Sequence, residues 1–313
     1  MLDKNASSAM NTGSSFASRR QVVFAANRIL VSYEAGAAPY EGNTPMAVFR
    51  LVSIDVRTGA VKNTKEFVGK WGSTPYLYST KDEHVIYGNW TLTKLNPDLS
   101  ESGPRFAPDH GRAIYMSPDG STIAWETTPG TTLIDASTLT PTDRRLTESV
   151  PTSVSTRAVV TDNSWWIRDF PKDKGFVTLI DEKEKRLLYH GACGGRPEFL
   201  NDERVFVAGC GKIWILDLQG KILRETEKRA GEINFAGVSR NGRRFAVAYS
   251  DGSGDPFRLT YEYFVIYDTE TAQEIAVMRV KALPERQSWS ALSPDGTHFV
   301  VGNQYELNLY RLP

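Results

Sequence analysis

Few residues in this chain have the type and setting for covalent chemistry. Ester hydrolysis would need a general base and an arginine to clamp the substrate. His110 or Glu232 could be the base and Arg112 or Arg196 the clamp, although no local motif marks any of them. There are four histidines, His84, His110, His190 and His298. Asp109-His110 with His190 and Glu232 is the one group of metal-ligand types that a ring could gather. Zinc needs three or four ligands in tight geometry, so no metal is expected. A Gly-x-Ser-x-Gly elbow is missing, and neither cysteine has a base beside it. Gly191-Ala-Cys-Gly-Gly195 opens a strand, so it gives phosphate no helix N-terminus, and no cofactor is expected.

The elements that would position such residues are written in a repeat. Ser117-Pro118-Asp119-Gly120 returns as Ser293-Pro294-Asp295-Gly296 and, worn, as Ser239-Arg240-Asn241-Gly242. An apolar run follows each copy, as in Arg244-Phe-Ala-Val-Ala-Tyr249. Aligned on the turn, anchors fall at Ala25, Thr80, Ser117, Thr161, Leu200, Ser239 and Ser293, 37 to 55 residues apart. About four strands in roughly 40 to 50 residues is the signature of a β-propeller. The expected fold is all-β, a seven-bladed propeller of four-stranded antiparallel blades with Ile114, Tyr115 and Phe199 on inner strands. The third strand of a unit tends to end in aspartate, at Asp55, Asp135, Asp181, Asp217 and Asp268.

Residues 19–313 are read as one propeller and 1–18 as a flexible leader or a closing strand. The closing-strand reading would complete the last blade, whose third strand ends at Leu312. Two units carry inserts between second and third strands, 34–45 and 250–258. Equivalent loops leave a propeller on one face, so both should overhang the blade between them.

Lysine plus arginine equals aspartate plus glutamate, at 37 each. A neutral chain lacks the electrostatic footprint of a nucleic-acid binder and a polybasic membrane patch. Its apolar runs are too short for a transmembrane helix. If Asn201-Asp202 is a two-residue hairpin turn, Leu200 faces Glu203, Pro197 faces Phe206 and Cys193 faces Cys210. Opposed residues lie close enough for a disulfide. The bridge is the preferred reading and two buried thiols the other. A bridge favours an extracytoplasmic compartment, periplasmic or secreted, while a cytoplasmic location stays open.

The Ser-Pro-Asp-Gly turn before a strand, with aspartate closing the third strand, resembles the bacterial WD40-like and YVTN-type propeller superfamily over residues 20–313. The Gly-His and Trp-Asp dipeptides of eukaryotic WD40 repeats are absent. The broad group includes lactonase-like enzymes, periplasmic scaffolds and non-catalytic subunits, and fold alone does not choose among them. The resemblance implies that function sits where inner strands begin and second-to-third loops protrude. Near inner-strand starts the chain offers Trp71, His110, Arg112, His190, Arg196, Glu232, Asn234, Gln287 and Trp289. The inserts add Tyr40, Glu41, Asp255, Phe257 and Arg258. Aromatics beside arginines and amides suit a protein, peptide or small polar ligand, although for Trp71 and Trp289 taken singly the preferred reading is that each fills the gap between neighbouring blades. The leading expectation is a non-catalytic binding scaffold, using Tyr40, Glu41, Trp71, Asp255, Phe257, Arg258 and Trp289. The alternative is a lactonase-like hydrolase using His110, Arg112, Arg196 and Glu232 at the channel mouth.

Overall fold

The strands expected on either side of the turns at Ala25, Thr80, Ser117, Leu200, Ser239 and Ser293 are present in the computed structural model of the chain, while the strand expected directly after Thr161 falls outside the described residues. It describes residues 21–70, 75–88, 91–107, 112–126, 131–146, 158–161, 175–180, 185–191, 197–209, 211–227, 232–250, 260–282, 289–302 and 306–313. The first sheet holds β1 (Gln21–Ala25), β2 (Arg28–Glu41), β3 (Thr44–Asp55) and β4 (Val61–Lys70). The next holds β5 (Tyr76–Ser79), β6 (Val85–Gly88), β7 (Leu92–Leu95) and β8 (Glu101–Phe106). It is followed by β9 (Arg112–Met116), β10 (Thr122–Glu126), β11 (Thr131–Asp135) and β12 (Thr140–Leu146). A three-stranded sheet comes next, β13 (Ala158–Thr161), β14 (Gly175–Ile180) and β15 (Lys185–Gly191). Two four-stranded sheets follow. One holds β16 (Glu198–Asn201), β17 (Arg204–Gly209), β18 (Lys212–Asp217) and β19 (Ile222–Glu227), the other β20 (Glu232–Val238), β21 (Arg244–Ser250), β22 (Thr260–Asp268) and β23 (Glu274–Ala282). The last sheet has β24 (Trp289–Leu292), β25 (His298–Gly302) and β26 (Leu307–Arg311). Each strand pairs antiparallel with the next in its sheet, and the chain is an all-β propeller. Among the described residues no helix is long and apolar enough to cross a membrane.

Each repeated tetrapeptide is a closed hydrogen-bond network. Ser117 Oγ donates to Asp119 at 2.6 Å and accepts the Thr122 N–H at 2.9 Å. The Gly120 N–H reaches back to the Ser117 carbonyl at 2.8 Å. Ser293 repeats this with Asp295 (2.6 Å) and the His298 N–H (2.9 Å). Ser239 does so with Asn241 (2.8 Å) and the Arg244 N–H (3.0 Å). Thr80 plays the serine's part toward Asp82 and the His84 N–H. The fourth position needs left-handed dihedrals, and Gly120, Gly242 and Gly296 hold it at φ +74°, +66° and +74°. Glu83 holds it at +65°. A side chain in that region costs on the order of 1–2 kcal/mol, partly offset by the greater chain entropy that glycine loses on folding. Glu83→Gly is therefore expected to stabilise the protein by about 0.5 kcal/mol, seen as a higher urea midpoint. An unchanged or lower midpoint would show that Glu83 is held by something other than its turn.

The aspartates that end third strands have the same kind of task. Asp55 Oδ1 accepts the Arg57 and Thr58 N–H groups at 3.1 and 2.8 Å and the Thr58 hydroxyl at 2.9 Å. Asp268 does the same with Glu270 and Thr271. The carboxylate thus replaces the backbone partners that a turn leaves open.

The core lies between sheets rather than inside one. On β17, Val205 and Val207 pack with Val177 and Leu188, whereas Phe206 and Ala208 pack with Phe245 and Tyr267. Alternate side chains face opposite neighbours, which is why these strands read as unbroken apolar runs. Six such clusters are seen among the described residues, and one of them joins the two ends of the chain. It sets Val22, Val31 and Ile54 against Trp289, Val300 and Leu307.

The structure corrects several expectations. Four strands per blade holds for five sheets, while β13–β15 and β24–β26 have three among the described residues. The run ending at Asp181 was expected as a third strand, but β14 pairs directly with β13. The segment 34–45 is a β-hairpin extending β2 and β3, with Glu41 opposite Thr44. Gly42 turns it at φ +60°, as the first central residue of a type II′ turn must. Pro39 is tolerated because it falls in a bulge between Ala38 and Glu41, where no ladder N–H is needed.

The β16–β17 register also differs. Glu198, not Pro197, faces Phe206, and Asn201 faces Arg204 across a turn at Asp202-Glu203. A bulge follows Phe199, and Asn201 Oδ1 accepts the Glu203 N–H at 2.9 Å to start the turn one residue late. The count that set Cys193 opposite Cys210 therefore does not hold in this strand pair, and both cysteines lie outside the described residues.

Candidate functional site

The inner strands surround a channel. At the end where the Ser-Pro-Asp-Gly turns lie, it widens into a cavity of about 370 Å³, within the size range of ligand sites. Its walls come from β1, β5, β9, β16, β20 and β24. Most of the wall is apolar, as at Val23, Leu77 and Phe235. Its charged and phenolic groups include Arg240, Glu198 and Tyr115.

Arg240 occupies the second position of its turn, where two sister turns carry Pro118 and Pro294. Its side chain bridges from the β20–β21 turn to the β5–β6 turn. Nη2 donates to Ser79 Oγ at 2.7 Å and Nη1 to the Lys81 carbonyl at 3.4 Å. Burial lowers the guanidinium pKa, against the pull of Glu83, Asp119 and Asp82 at longer range. Tyr115 donates toward Glu198 at 3.5 Å, joining β9 to β16. Tyr78 also lines the cavity, and its hydroxyl is buried without a hydrogen-bond partner. Burial and the neighbouring Tyr76 push its pKa well up, so it stays protonated.

The rim is held turn to turn. The Lys81 N–H donates to the Gly120 carbonyl at 2.8 Å, and the Asn241 N–H to the Pro294 carbonyl at 3.1 Å. Asn241 Nδ2 reaches the Asp295 carbonyl at 3.0 Å, and Arg244 Nη1 the Gly296 carbonyl at 2.9 Å. Asp82 anchors the outer side, 3.0 Å from the buried Lys94 Nζ and 2.9 Å from His84 Nδ1. Burial alone would raise its carboxyl, but the Thr80 hydroxyl, Lys94 and His84 hold it down at about 2. A folded pKa below the unfolded value of about 3.9 stabilises fully above that value and is lost as pH falls toward 2. Asp82→Asn is expected to flatten the loss of stability between pH 4 and pH 2, read by urea unfolding across that range. An unchanged slope would assign the acid sensitivity elsewhere.

The residues expected to bind or react are scattered. Tyr40, 71 % exposed, and Glu41 stand at the tip of the β2–β3 hairpin. Trp289 is 8 % exposed in the cluster between the first and last sheets. Arg112 and Glu232 open the inner strands β9 and β20, and Asn234 is exposed on β20. His190 is not at an inner-strand start: it lies on β15 opposite Phe176. Trp71, His110, Arg196, Asp255, Phe257, Arg258 and Gln287 lie outside the described residues.

No protein-family model and no curated protein matches the sequence. Solved structures do. The WD40 β-propeller domain of Doa1 superposes with TM-score 0.53 at 13 % identity, over 96 % of this chain and 94 % of its own. The fold is that of the WD40 β-propellers. Hsv2 of Kluyveromyces lactis gives TM-score 0.52 at 10 % identity, over 94 % of each chain. A chain of the mitotic checkpoint complex gives 0.51 at 10 %, over 93 % of this chain and 88 % of its own. Likeness at these identities carries the fold alone. In this propeller Arg240, Tyr115 and Glu198 come from three sheets, so no short motif could announce them. One signal was available: Arg240 stands where the two best-kept copies of the turn have proline.

Proposed function

We propose that the chain is a binding propeller that holds a protein or peptide partner without acting on it chemically, on the face where the β2–β3 hairpin stands. The observation that carries this reading is the hairpin itself. Beyond Ser32, β2 has no β1 partner among the described residues, yet it stays paired to β3 as far as Glu41. It presents Tyr40 to solvent, 71 % exposed. A large aromatic on a stiff support is an interface anchor at low entropic cost. Successive sheets read as blades make a ring of seven, and the turn-to-turn bonds at its far end make it a rigid platform. Export belongs to the same reading, although the β16–β17 register no longer sets Cys193 opposite Cys210. Alkylation of protein isolated under oxidising conditions tests it: a bridged pair would support export, and two alkylatable thiols would leave it without support.

A photo-crosslinking amino acid placed at Tyr40 should capture a partner that the same probe at Gln273, on the turn end of the ring, does not. Replacing residues 36–46 by a tight turn should then weaken that partner's binding at least tenfold. Equal binding by the trimmed protein would overturn the reading.

A further inference from the structure

We infer that the cavity at the turn end of the channel is a binding site for a small zwitterion of the free amino-acid class, separate from the partner face. Three features carry it. First, Arg240 has five N–H donors and among the described residues spends two, on Ser79 and Lys81. Among the described residues it forms no ion pair, so a half-buried cation at the cavity wall keeps donors in reserve for a carboxylate, the acceptor its planar fork fits best. Second, the same wall holds a carboxylate. Glu198 lies on β16 with Tyr115 beside it on β9, a pair suited to an ammonium group. Third, most of the rest of the lining is apolar, with Val23, Leu77 and Phe235 in reach of a side chain. A volume of about 370 Å³ holds a single amino acid with room for ordered water and is small for a folded peptide.

The arrangement discriminates by charge at both ends. A simple anion gains Arg240 but meets Glu198, and a simple cation gains Glu198 but meets Arg240. A ligand with both groups meets an opposite charge at each wall. The site also differs from the hairpin face in what it asks of the ring. The cavity is formed by inner-strand ends from six sheets, so it exists only in the closed propeller.

Calorimetric titration of the wild-type protein decides the matter with three probe sets: the twenty amino acids, the matching amines that lack the carboxylate, and the matching acids that lack the ammonium. The expected result is saturable binding of one or a few amino acids, at least tenfold tighter than the corresponding amine and acid. Arg240→Gln should weaken the amino acid at least tenfold and leave the amine unchanged. Glu198→Gln should do the converse, sparing the acid. If Arg240→Gln fails to fold because its brace is lost, the wild-type comparison and Glu198→Gln still decide. No binding of any amino acid at millimolar concentration, or equal affinity for an amino acid and its amine or acid, would overturn the inference. Binding that persists when residues 36–46 are trimmed separates this site from the partner face.

Discussion

Gly120→Ala will destabilise the ring by about 3 kcal/mol, combining left-handed strain with a clash that cannot relax. A Cβ at Gly120 would lie 2.8 Å from both the Lys81 nitrogen and the Ser79 carbonyl oxygen. These are backbone atoms of the neighbouring sheet, tied to this turn by the Lys81 N–H bond to the Gly120 carbonyl. Gly42→Ala is the control. It has a similar φ of +60° and nothing within 4 Å of the added carbon, so it should cost only about 1 kcal/mol. Urea midpoints of the two variants separate the contributions. Equal losses would mean that the turns of β5–β6 and β9–β10 are not locked together.

Trp289→Ala will cost about 3–5 kcal/mol. Trp289 is 8 % exposed, and its ring packs so closely on Gly302 that an added Cβ there would come within 2.2 Å of it. It joins the cluster in which β24–β26 meet β1–β4. The cavity left behind would open the seam between the two ends of the chain. Amides of β1 and β24 should therefore lose hydrogen-exchange protection before those of β17 or β21. A loss under 1 kcal/mol would return Trp289 to the role of groove floor, where its removal would be felt in binding rather than in stability.

The fold was legible because its commonest turn is a local device. Serine, aspartate and glycine at fixed offsets satisfy one another whatever the rest of the chain does, so Ser117–Gly120 and Ser293–Gly296 could be recognised without a structure. The aspartates at 55, 135 and 268 were equally visible, but their role as turn acceptors shows only in the bonds to Thr58, Thr138 and Thr271. Register was less legible. A single bulge beside Leu200 shifts every later pair, and nothing in Phe-Leu-Asn-Asp announces it. The hairpin at 34–45 was misread because alanine, glycine and proline suggest a loop. There the ladder tolerates proline in a bulge, and pairing to β3 supplies what propensity lacks. The cavity was hidden for a different reason. Arg240, Tyr115 and Glu198 meet only after the ring has closed, so their separation in sequence says nothing of their distance.

The seam between the first and last sheets has a consequence for how the protein is made. A ribosome releases the Val22, Val31 and Ile54 face long before Trp289, Val300 and Leu307, which cover it. While the sheets between them are made, that apolar face has no native partner. The nascent chain therefore carries an adhesive flank that only the last sheet removes. A chain that stopped before β24 would leave that flank open for good, together with the Phe264 and Met278 face that the last sheet also covers. Such a product is a substrate for chaperones and proteases rather than a smaller working ring.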